Sequence, residues 1–285
     1  ELQARFDESA NIRYAKEMQS QGIKLIFGSP NLKVHSKICL IERLENGNLK
    51  KYGFISTGNF NESTAKIYTD LTLFTSNVKI LDEVSNVFNF FNANYKKYVF
   101  KNLIVSPINT ETNIKKLINN EIVNAKNGNE AWIKIKINNI TSYSLIRSLY
   151  NASRAGVKIQ MIVRGICCLI PGHKSMSENI KVISIVDRFL EHTRFMIFNN
   201  NNDNKVFISS ADWMTRNLDN RVEVTCPILQ EDLKKEILDI FNIYWSDNIK
   251  SRLVNSNSKS RITNQKSFRS QEKMYNYYLN KIEAL

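Results

Sequence analysis

The sequence predicts an α/β protein made of two similar units related by an internal duplication. Segments whose apolar residues have helical spacing alternate with short runs of β-branched and aromatic residues. The same order of elements then occurs a second time, and each round ends in a loop of small residues. A chain of 285 residues is also long enough for two domains. We therefore expect two α/β/α sandwich domains related by a pseudo-twofold axis, over 1–104 and 105–285, with mainly parallel sheets.

The first round of elements begins with a helix over 11–21, which the glycine at position 22 ends. The turn Glu45-Asn46-Gly47-Asn48 is typical of a β-hairpin. Strands are predicted at 23–27, 34–41, 51–56 and 71–74, and a long amphipathic helix at 80–98. The small-residue loop Ser56-Thr57-Gly58-Asn59 follows the third of these strands.

The second round repeats this order with an asparagine-rich turn at 199–204 and a second small-residue loop, Ser209-Ser210-Ala211-Asp212. Helices are predicted at 111–125, 142–155, 230–245 and 271–282, and strands at 131–137, 157–163, 181–186, 194–198 and 205–209. The matching loops place Asn59 and Asp212 at equivalent positions of the two units.

The composition excludes several classes of protein. With 42% hydrophobic and 24% charged residues the chain is neither disordered nor collagen-like, and no apolar run approaches the ~18 residues of a membrane-spanning helix. Forty basic against 27 acidic residues give a net charge of +13, which favours a polyanionic partner. The four cysteines lack disulfide or zinc spacing, so we expect reduced thiols in a cytosol. The chain begins at Glu1 without a leader, and we expect a fragment of a longer polypeptide.

Two of the three histidines lie two residues before a basic residue, His35 before Lys37 and His192 before Arg194. Alternate residues of a strand face the same side, so each imidazole and its cation point into one site. A neutral imidazole is a competent nucleophile toward phosphorus, and a cation beside it neutralises phosphate oxygens. If the two units face each other, both histidines reach one cleft. The alternative is a histidine that is hydrogen-bonded within a sheet.

Three further residues have both a functional and a structural interpretation. Arg164 follows a predicted strand, where α/β proteins place ligand-binding loops. Arg5 pairs on spacing alone with Asp7 or Glu8 at the surface, and Tyr68 alone is an ordinary core or surface residue. No phosphate-binding glycine loop of the P-loop or dinucleotide type is present.

Six motifs together resemble one family over nearly the whole chain. They are Glu1-Leu2-Gln3-Ala4-Arg5-Phe6-Asp7-Glu8, Val34-His35-Ser36-Lys37, Ser56-Thr57-Gly58-Asn59 with Ile67-Tyr68-Thr69-Asp70, Val163-Arg164-Gly165-Ile166-Cys167-Cys168-Leu169, Phe189-Leu190-Glu191-His192-Thr193-Arg194 and Ile208-Ser209-Ser210-Ala211-Asp212-Trp213. In this order they closely resemble the C-terminal half of the bacterial ATP-dependent polyphosphate kinases.

The resemblance implies paired domains of the phospholipase D fold and reversible transfer of the terminal phosphate of ATP to inorganic polyphosphate. It implies a phosphohistidine at His35, with His192 as its partner in ATP binding and proton transfer. Tyr68 and Arg164 match nucleotide-contacting positions. Arg5 matches the Mg²⁺ site, where a guanidinium acts through phosphate oxygens that the metal also holds.

A mechanism built on this resemblance assigns the remaining polar residues. Lys37, Arg194 and Asn59 are expected to bind or orient phosphate, and Asp212 to favour a charged His192. Partners are then ATP or ADP and inorganic polyphosphate, without nucleic acid, in a homo-oligomer. The expected location is the cytoplasm, with attachment to the periphery of the inner membrane left open.

The chain departs from family patterns at several positions. Asp187 stands where many relatives have glycine. Against the phospholipase D pattern His-x-Lys-x4-Asp, the first copy has Glu42 at the acidic position, and the second has Arg194 and Asn199. Two other functions therefore stay open: a phospholipase D-like phosphodiesterase or nuclease, and a non-catalytic polyanion-binding module.

Overall fold

The computed structural model describes residues 8–28, 31–254 and 266–283. Within these ranges the helices are α1 (Glu8–Ser20), α2 (Glu62–Ala65), α3 (Val78–Asn92), α4 (Thr110–Lys126), α5 (Tyr143–Arg154), α6 (Thr215–Asp219), α7 (Glu231–Trp245) and α8 (Ser270–Glu283). The strands are β1 (Lys33–Val34), β2 (Lys37–Glu45), β3 (Asn48–Ser56), β4 (Thr72–Thr75), β5 (Ile104–Ser106), β6 (Trp132–Ile137), β7 (Lys158–Val163), β8 (Ile180–Ile185), β9 (Phe195–Phe198), β10 (Lys205–Ser209), β11 (Arg221–Ile228) and β12 (Ser251–Leu253).

Within the described residues the larger sheet has nine strands in the order β1-β11-β10-β9-β6-β7-β8-β12, with β5 also paired to β11. Among these described strands only β1 with β11, β6 with β7 and β7 with β8 are parallel. The prediction of mainly parallel sheets is therefore wrong. The physical reason lies in the asparagine-rich turn, where Asn200, Asn201 and Asn202 all have positive φ and reverse the chain directly between β9 and β10.

The smaller sheet is the antiparallel β2-β3-β4 meander. Its predicted hairpin turn is confirmed, because Asn46 and Gly47 both adopt positive φ between β2 and β3. Helix α3 packs on its inner face: a Cβ at position 53 would collide with the Cys39 carbonyl and the Leu81 side chain. Gly53 therefore allows close approach of sheet and helix.

Two hydrophobic cores cover the two faces of the larger sheet. On one face α4 and α5 contribute Ile114, Ile118, Leu145 and Leu149. On the other face α3 and α7 contribute residues such as Leu81, Val84 and Phe241, and this core also includes Ile55 of the smaller sheet. Helices thus lie on both faces of the sheet, and the predicted α/β class is confirmed. None of the helices in the described ranges is long and apolar enough to cross a membrane.

Several predicted elements differ from the structure. Residues 23–27 form no strand, and Phe27 is half exposed, so an apolar run alone did not indicate a buried strand. Helix α3 ends at Asn92 rather than at 98. Strands β5, β11 and β12 were not predicted. The first unit also sends β1 into the sheet of the second unit, so the two predicted units share one sheet.

Candidate active site

His35 is held by a carboxylate from the other half of the chain. It follows β1, and its backbone N–H donates to the carbonyl of Val222 in β11 at 3.0 Å. This pairing brings its Nδ1 to 2.9 Å from Glu223 Oε2. Glu223 also accepts from Ser210 Oγ at 2.5 Å and from Asn217 Nδ2 at 2.7 Å, so its position is fixed by three donors. A carboxylate at Nδ1 directs the proton there and leaves Nε2 with its lone pair.

His192 is held in the same way by a carboxylate from the first half. Its Nδ1 lies 2.9 Å from both oxygens of Asp70. The backbone around Tyr68 runs beside the segment that leads into His192, and Leu190 donates to the Ile67 carbonyl at 2.8 Å. The same pairing places the centroid of the Tyr68 ring 5.0 Å from the centroid of the His192 ring. Each half of the chain therefore orients the histidine of the other half.

The two loops that lead to these carboxylates make equivalent hydrogen bonds. Thr57 Oγ1 donates to Asp70 at 2.6 Å, and Ser210 Oγ donates to Glu223 at 2.5 Å, with 13 residues of separation in both cases. The backbone of the next residue then donates back to the same hydroxyl, from Leu71 at 3.0 Å and from Val224 at 3.1 Å. Gly58 allows this approach, since a Cβ there would overlap the Asp70 carboxylate. These contacts are direct structural evidence for the duplication.

Both imidazoles are held in the neutral form. Burial lowers the pKa of His35 below 6.5, although the hydrogen bond to Glu223 opposes this change. Burial likewise lowers the pKa of His192, against the hydrogen bond to Asp70 and with the added repulsion of Arg194. Lys37 lowers the pKa of both histidines, so the two rings lie within electrostatic range of one ammonium group. Burial lowers the pKa of Lys37 itself to about 8.

Arg194 joins the two halves beneath His192. Its side chain is only 5% exposed, and Nε donates to Asp212 Oδ1 at 3.0 Å. Nη1 donates to the carbonyls of Thr57 and His192, and Nη2 lies 3.3 Å from His192 Nε2. A guanidinium only donates, so His192 Nε2 is the acceptor in this contact. Most of the donors of Arg194 are thus used inside the protein, which leaves little capacity for the phosphate contact predicted for it.

Asp212 does not contact His192, contrary to the prediction that it would favour a charged imidazole there. Its Oδ1 accepts from Arg194 Nε and from the Asn138 backbone at 2.8 Å, and its Oδ2 from Asn139 Nδ2 at 3.0 Å. Burial would raise the pKa of Asp212, but Arg194 and the asparagines outweigh it and lower the pKa. Asp212 is therefore an ionised partner of Arg194, and Asp70 is the carboxylate that His192 uses.

The other predicted residues have the following places. Arg164 lies just after β7, half-buried, and its Nε donates to Asn138 Oδ1 at 3.1 Å and to the Glu191 carbonyl at 3.2 Å. Asn59 is exposed on the loop after β3. Lys37 donates from Nζ to the His35 carbonyl. Arg5 lies outside the described residues.

Asp70 and Glu223 are the functional residues that sequence reasoning missed. A signal for them was present, because an acidic residue follows each small-residue loop at the same distance, 13 residues after Thr57 and after Ser210. The departure at Asp187 also has a structural explanation. Its carboxylate accepts two hydrogen bonds from Arg269, at 2.8 and 2.6 Å, and so ties the loop before His192 to the start of α8.

Residues 1–97 match the family described as polyphosphate kinase C-terminal domain 1, and residues 103–273 match polyphosphate kinase C-terminal domain 2, which alone covers more than half of the chain. The chain belongs to the polyphosphate kinase family.

Individual members of this family are similar over nearly all of the chain. The polyphosphate kinase of Vibrio parahaemolyticus is 50% identical over 98% of the chain, which spans 41% of that relative's length. The crystal structure of the polyphosphate kinase from Porphyromonas gingivalis superposes on 100% of the chain with a TM-score of 0.92 and 41% identity, over 44% of its own length. A phosphatidylserine synthase from Haemophilus influenzae shares the fold alone, with a TM-score of 0.54 at 12% identity.

The relatives are named polyphosphate kinases, and phosphoryl transfer from a nucleotide depends on a divalent metal ion. No group of three or more histidine, cysteine, aspartate or glutamate side chains that could hold a metal ion occurs in the described ranges. The carboxylates of this site, Asp70, Asp212 and Glu223, are already bound to His192, Arg194 and His35. These side chains therefore do not provide a set of protein ligands for Mg²⁺.

Proposed function

We propose that this chain carries the phosphoryl-transfer site of a polyphosphate kinase, which moves the terminal phosphate of ATP reversibly to inorganic polyphosphate through a phosphohistidine at His35. The observation that carries this proposal is the difference between the two histidines. No hydrogen bond to His35 Nε2 is found in the described part of the chain, whereas His192 Nε2 accepts from Arg194. Of these two histidines, His35 is therefore the one whose neutral ring has a lone pair without a donor among the described residues.

The transfer proceeds by two displacements at phosphorus. His35 Nε2 attacks the γ-phosphorus in line, an N–P bond forms, and the P–O bond to ADP breaks with its electrons on the ADP oxygen. Glu223 stabilises the positive charge that develops on the ring through Nδ1–H. The terminal oxygen of a polyphosphate chain then attacks the phosphohistidine and the N–P bond breaks. Lys37 and Arg164 offset the negative charge on the phosphoryl oxygens.

The other groups act around this centre. Tyr68 and His192 form an aromatic pair that suits the nucleotide base, and Arg164 donates to the carbonyl of Glu191, the residue before His192. Proton transfer by His192 requires Arg194 to release Nε2. Mg²⁺ would be held by the substrate's phosphates rather than by protein ligands and would neutralise phosphate charge there, and Arg5 would bind phosphate oxygens that the metal also holds.

The remaining properties belong to the same proposal. The partners are ATP or ADP and polyphosphate rather than nucleic acid, and the protein is a homo-oligomer in the cytoplasm. The domain boundary proposed between 104 and 105 falls inside β5, directly after its first residue. The net charge of +13 supports a polyanionic substrate.

Labelling with γ-labelled ATP tests the assignment in the protein at its full natural length. We expect label that is stable in alkali and lost in acid, and we expect His35→Ala to abolish it. His192→Ala should retain the label but slow turnover by about 100-fold or more. His173→Ala is the matched control, because this exposed loop histidine should change neither property. Undiminished label in His35→Ala would refute the proposal, and hydrolysis of a phosphodiester without ATP would support the phosphodiesterase alternative.

A further inference from the structure

Arg221 lies next to the His35–Glu223 pair, although no sequence motif indicated it. It is the first residue of β11, and alternate residues of a strand face the same side, so Arg221 shares a face with Glu223. Strand β1 runs parallel to this end of β11, with Lys33 opposite Arg221 and Val34 opposite Val222. His35 comes next in this register. Arg221 is therefore one strand repeat away from the histidine, on the side of the sheet that carries the imidazole.

The Arg221 guanidinium is half-buried and has no hydrogen bond or ion pair within the part of the chain that the structure describes. Its neighbour Glu223 already accepts from His35, Ser210 and Asn217. Burial lowers the pKa of Arg221 and outweighs the attraction of Glu223 and Asp212, while Arg216 and Arg194 add repulsion. A half-buried guanidinium whose N–H donors have no hydrogen-bond acceptor in the described ranges favours an anionic acceptor from outside the protein.

Two properties of the position indicate which anion. A guanidinium presents paired N–H donors that match phosphate oxygens. Arg221 also acts on the same groups as the reaction centre, since its charge lowers the pKa of both His35 and Lys37. Along β11 it lies two residues before Glu223, which holds His35, whereas Tyr68 packs against His192.

We propose that Arg221 is a phosphate-binding residue that holds the inorganic phosphate chain beside His35. Lys33, opposite Arg221, and Arg216 at the surface extend the positive charge away from the histidine. Arg221 forms and breaks no covalent bond. It holds the oxygens of the chain whose terminal oxygen attacks the phosphohistidine. This inference rests on the proposed function, because it assigns the second substrate of the same site.

Calorimetric titration of the protein at its full natural length with sodium tripolyphosphate, and separately with ATP, tests the inference. We expect Arg221→Gln to weaken tripolyphosphate binding by about tenfold to a hundredfold, and to change ATP binding by less than about threefold. Arg221→Lys keeps the charge but loses the paired donors, so its loss should be smaller. Arg154→Gln, an exposed arginine at the end of α5, is the matched control and should change neither affinity.

The outcomes separate this inference from the function on which it rests. Equal weakening of both ligands, weakening of ATP alone, or unchanged tripolyphosphate binding would each overturn the assignment of Arg221. Label on His35 is measured in parallel with the unsubstituted protein. Its absence would refute the proposed function, while the binding titration would still decide whether Arg221 holds a phosphate chain. If Arg221→Gln fails to fold, unchanged tripolyphosphate affinity in Arg221→Lys overturns the assignment and weakened affinity supports it.

Discussion

The protonation state of His35 results from opposing effects of its surroundings. Burial favours the neutral ring, and the Glu223 carboxylate favours the protonated one. Burial has the larger effect, so His35 stays neutral at neutral pH and its Nε2 keeps a lone pair. The neighbouring Lys37 is affected more strongly, because burial lowers its pKa to about 8. At one site, therefore, His35 gains a proton below neutral pH and Lys37 loses one above it.

The rate of His35 phosphorylation should depend on pH as a bell-shaped curve. Since the pKa of His35 is lowered, the nucleophile is lost only as pH falls through a value below 6.5. The Lys37 charge is lost as pH rises through about 8, which removes a partner of the phosphoryl oxygens. Single-turnover label formation between pH 5 and 10, with NMR titration of the His35 imidazole, measures both limbs.

Lys37→Arg provides the control for the alkaline limb. A guanidinium keeps its charge throughout this range, so the decline near pH 8 should disappear. A decline that persists in Lys37→Arg would assign that limb to another group. An NMR midpoint for His35 above 6.5 would contradict the neutral histidine on which the mechanism depends.

At the scale of elements, the segment that carries His192 is fixed by a buried ion pair. Lys136 of β6 and Glu191, the residue before His192, are each 1% exposed, and their charged atoms lie 3.2 Å apart. Lys136 also donates to the Thr193 carbonyl, and Glu191 accepts from Thr69 and from Gln271 of α8. A strand, a helix and the loop next to Asp70 thus meet at one carboxylate.

Removing one partner of this pair should be more harmful than removing both. Lys136→Met leaves the Glu191 charge buried without its cation, and we expect a loss of about 3–5 kcal/mol in the free energy of unfolding. The double variant Lys136→Met with Glu191→Gln has no uncompensated charge and should recover at least half of that loss. Urea denaturation followed by circular dichroism measures both. A double variant less stable than Lys136→Met would contradict this account.

The elements also show where sequence reasoning succeeds. Helices α4, α5 and α7 were predicted to within about two residues, because each has an apolar stripe of helical period and a clear boundary, such as Ser142 capping α5. Strand β11 was missed although it is nearly all buried, since Glu223 and Thr225 interrupt its apolar pattern. Both polar residues are buried because they bind His35 and Ser209 side chains from elsewhere in the chain. The pattern of apolar residues along one segment cannot indicate hydrogen-bond partners that lie elsewhere in the chain.

At the scale of the whole molecule, the duplication produces one site rather than two. His35 depends on Glu223 of the second half, and His192 depends on Asp70 of the first half. The repeated motifs allowed the histidines and their loops to be predicted. The crossed pairing could not be predicted, because it depends on how the halves pack. The halves differ at one decisive contact: Arg194 reaches His192 Nε2, whereas its counterpart Lys37 donates to the His35 carbonyl.

The crossed pairing predicts that equivalent substitutions in the two halves have different effects. In Glu223→Gln a neutral amide replaces the carboxylate at His35 Nδ1, so the positive charge that develops on the ring during attack loses its counter-charge. Label formation should therefore fall by about 100-fold or more. Asp70→Asn disturbs His192 instead, so His35 should still be labelled while the nucleotide side of the reaction slows. Rapid-quench measurement of label formation and of its transfer to tripolyphosphate separates these effects. Equal loss of label in both variants would show that the carboxylates do not act each on one histidine.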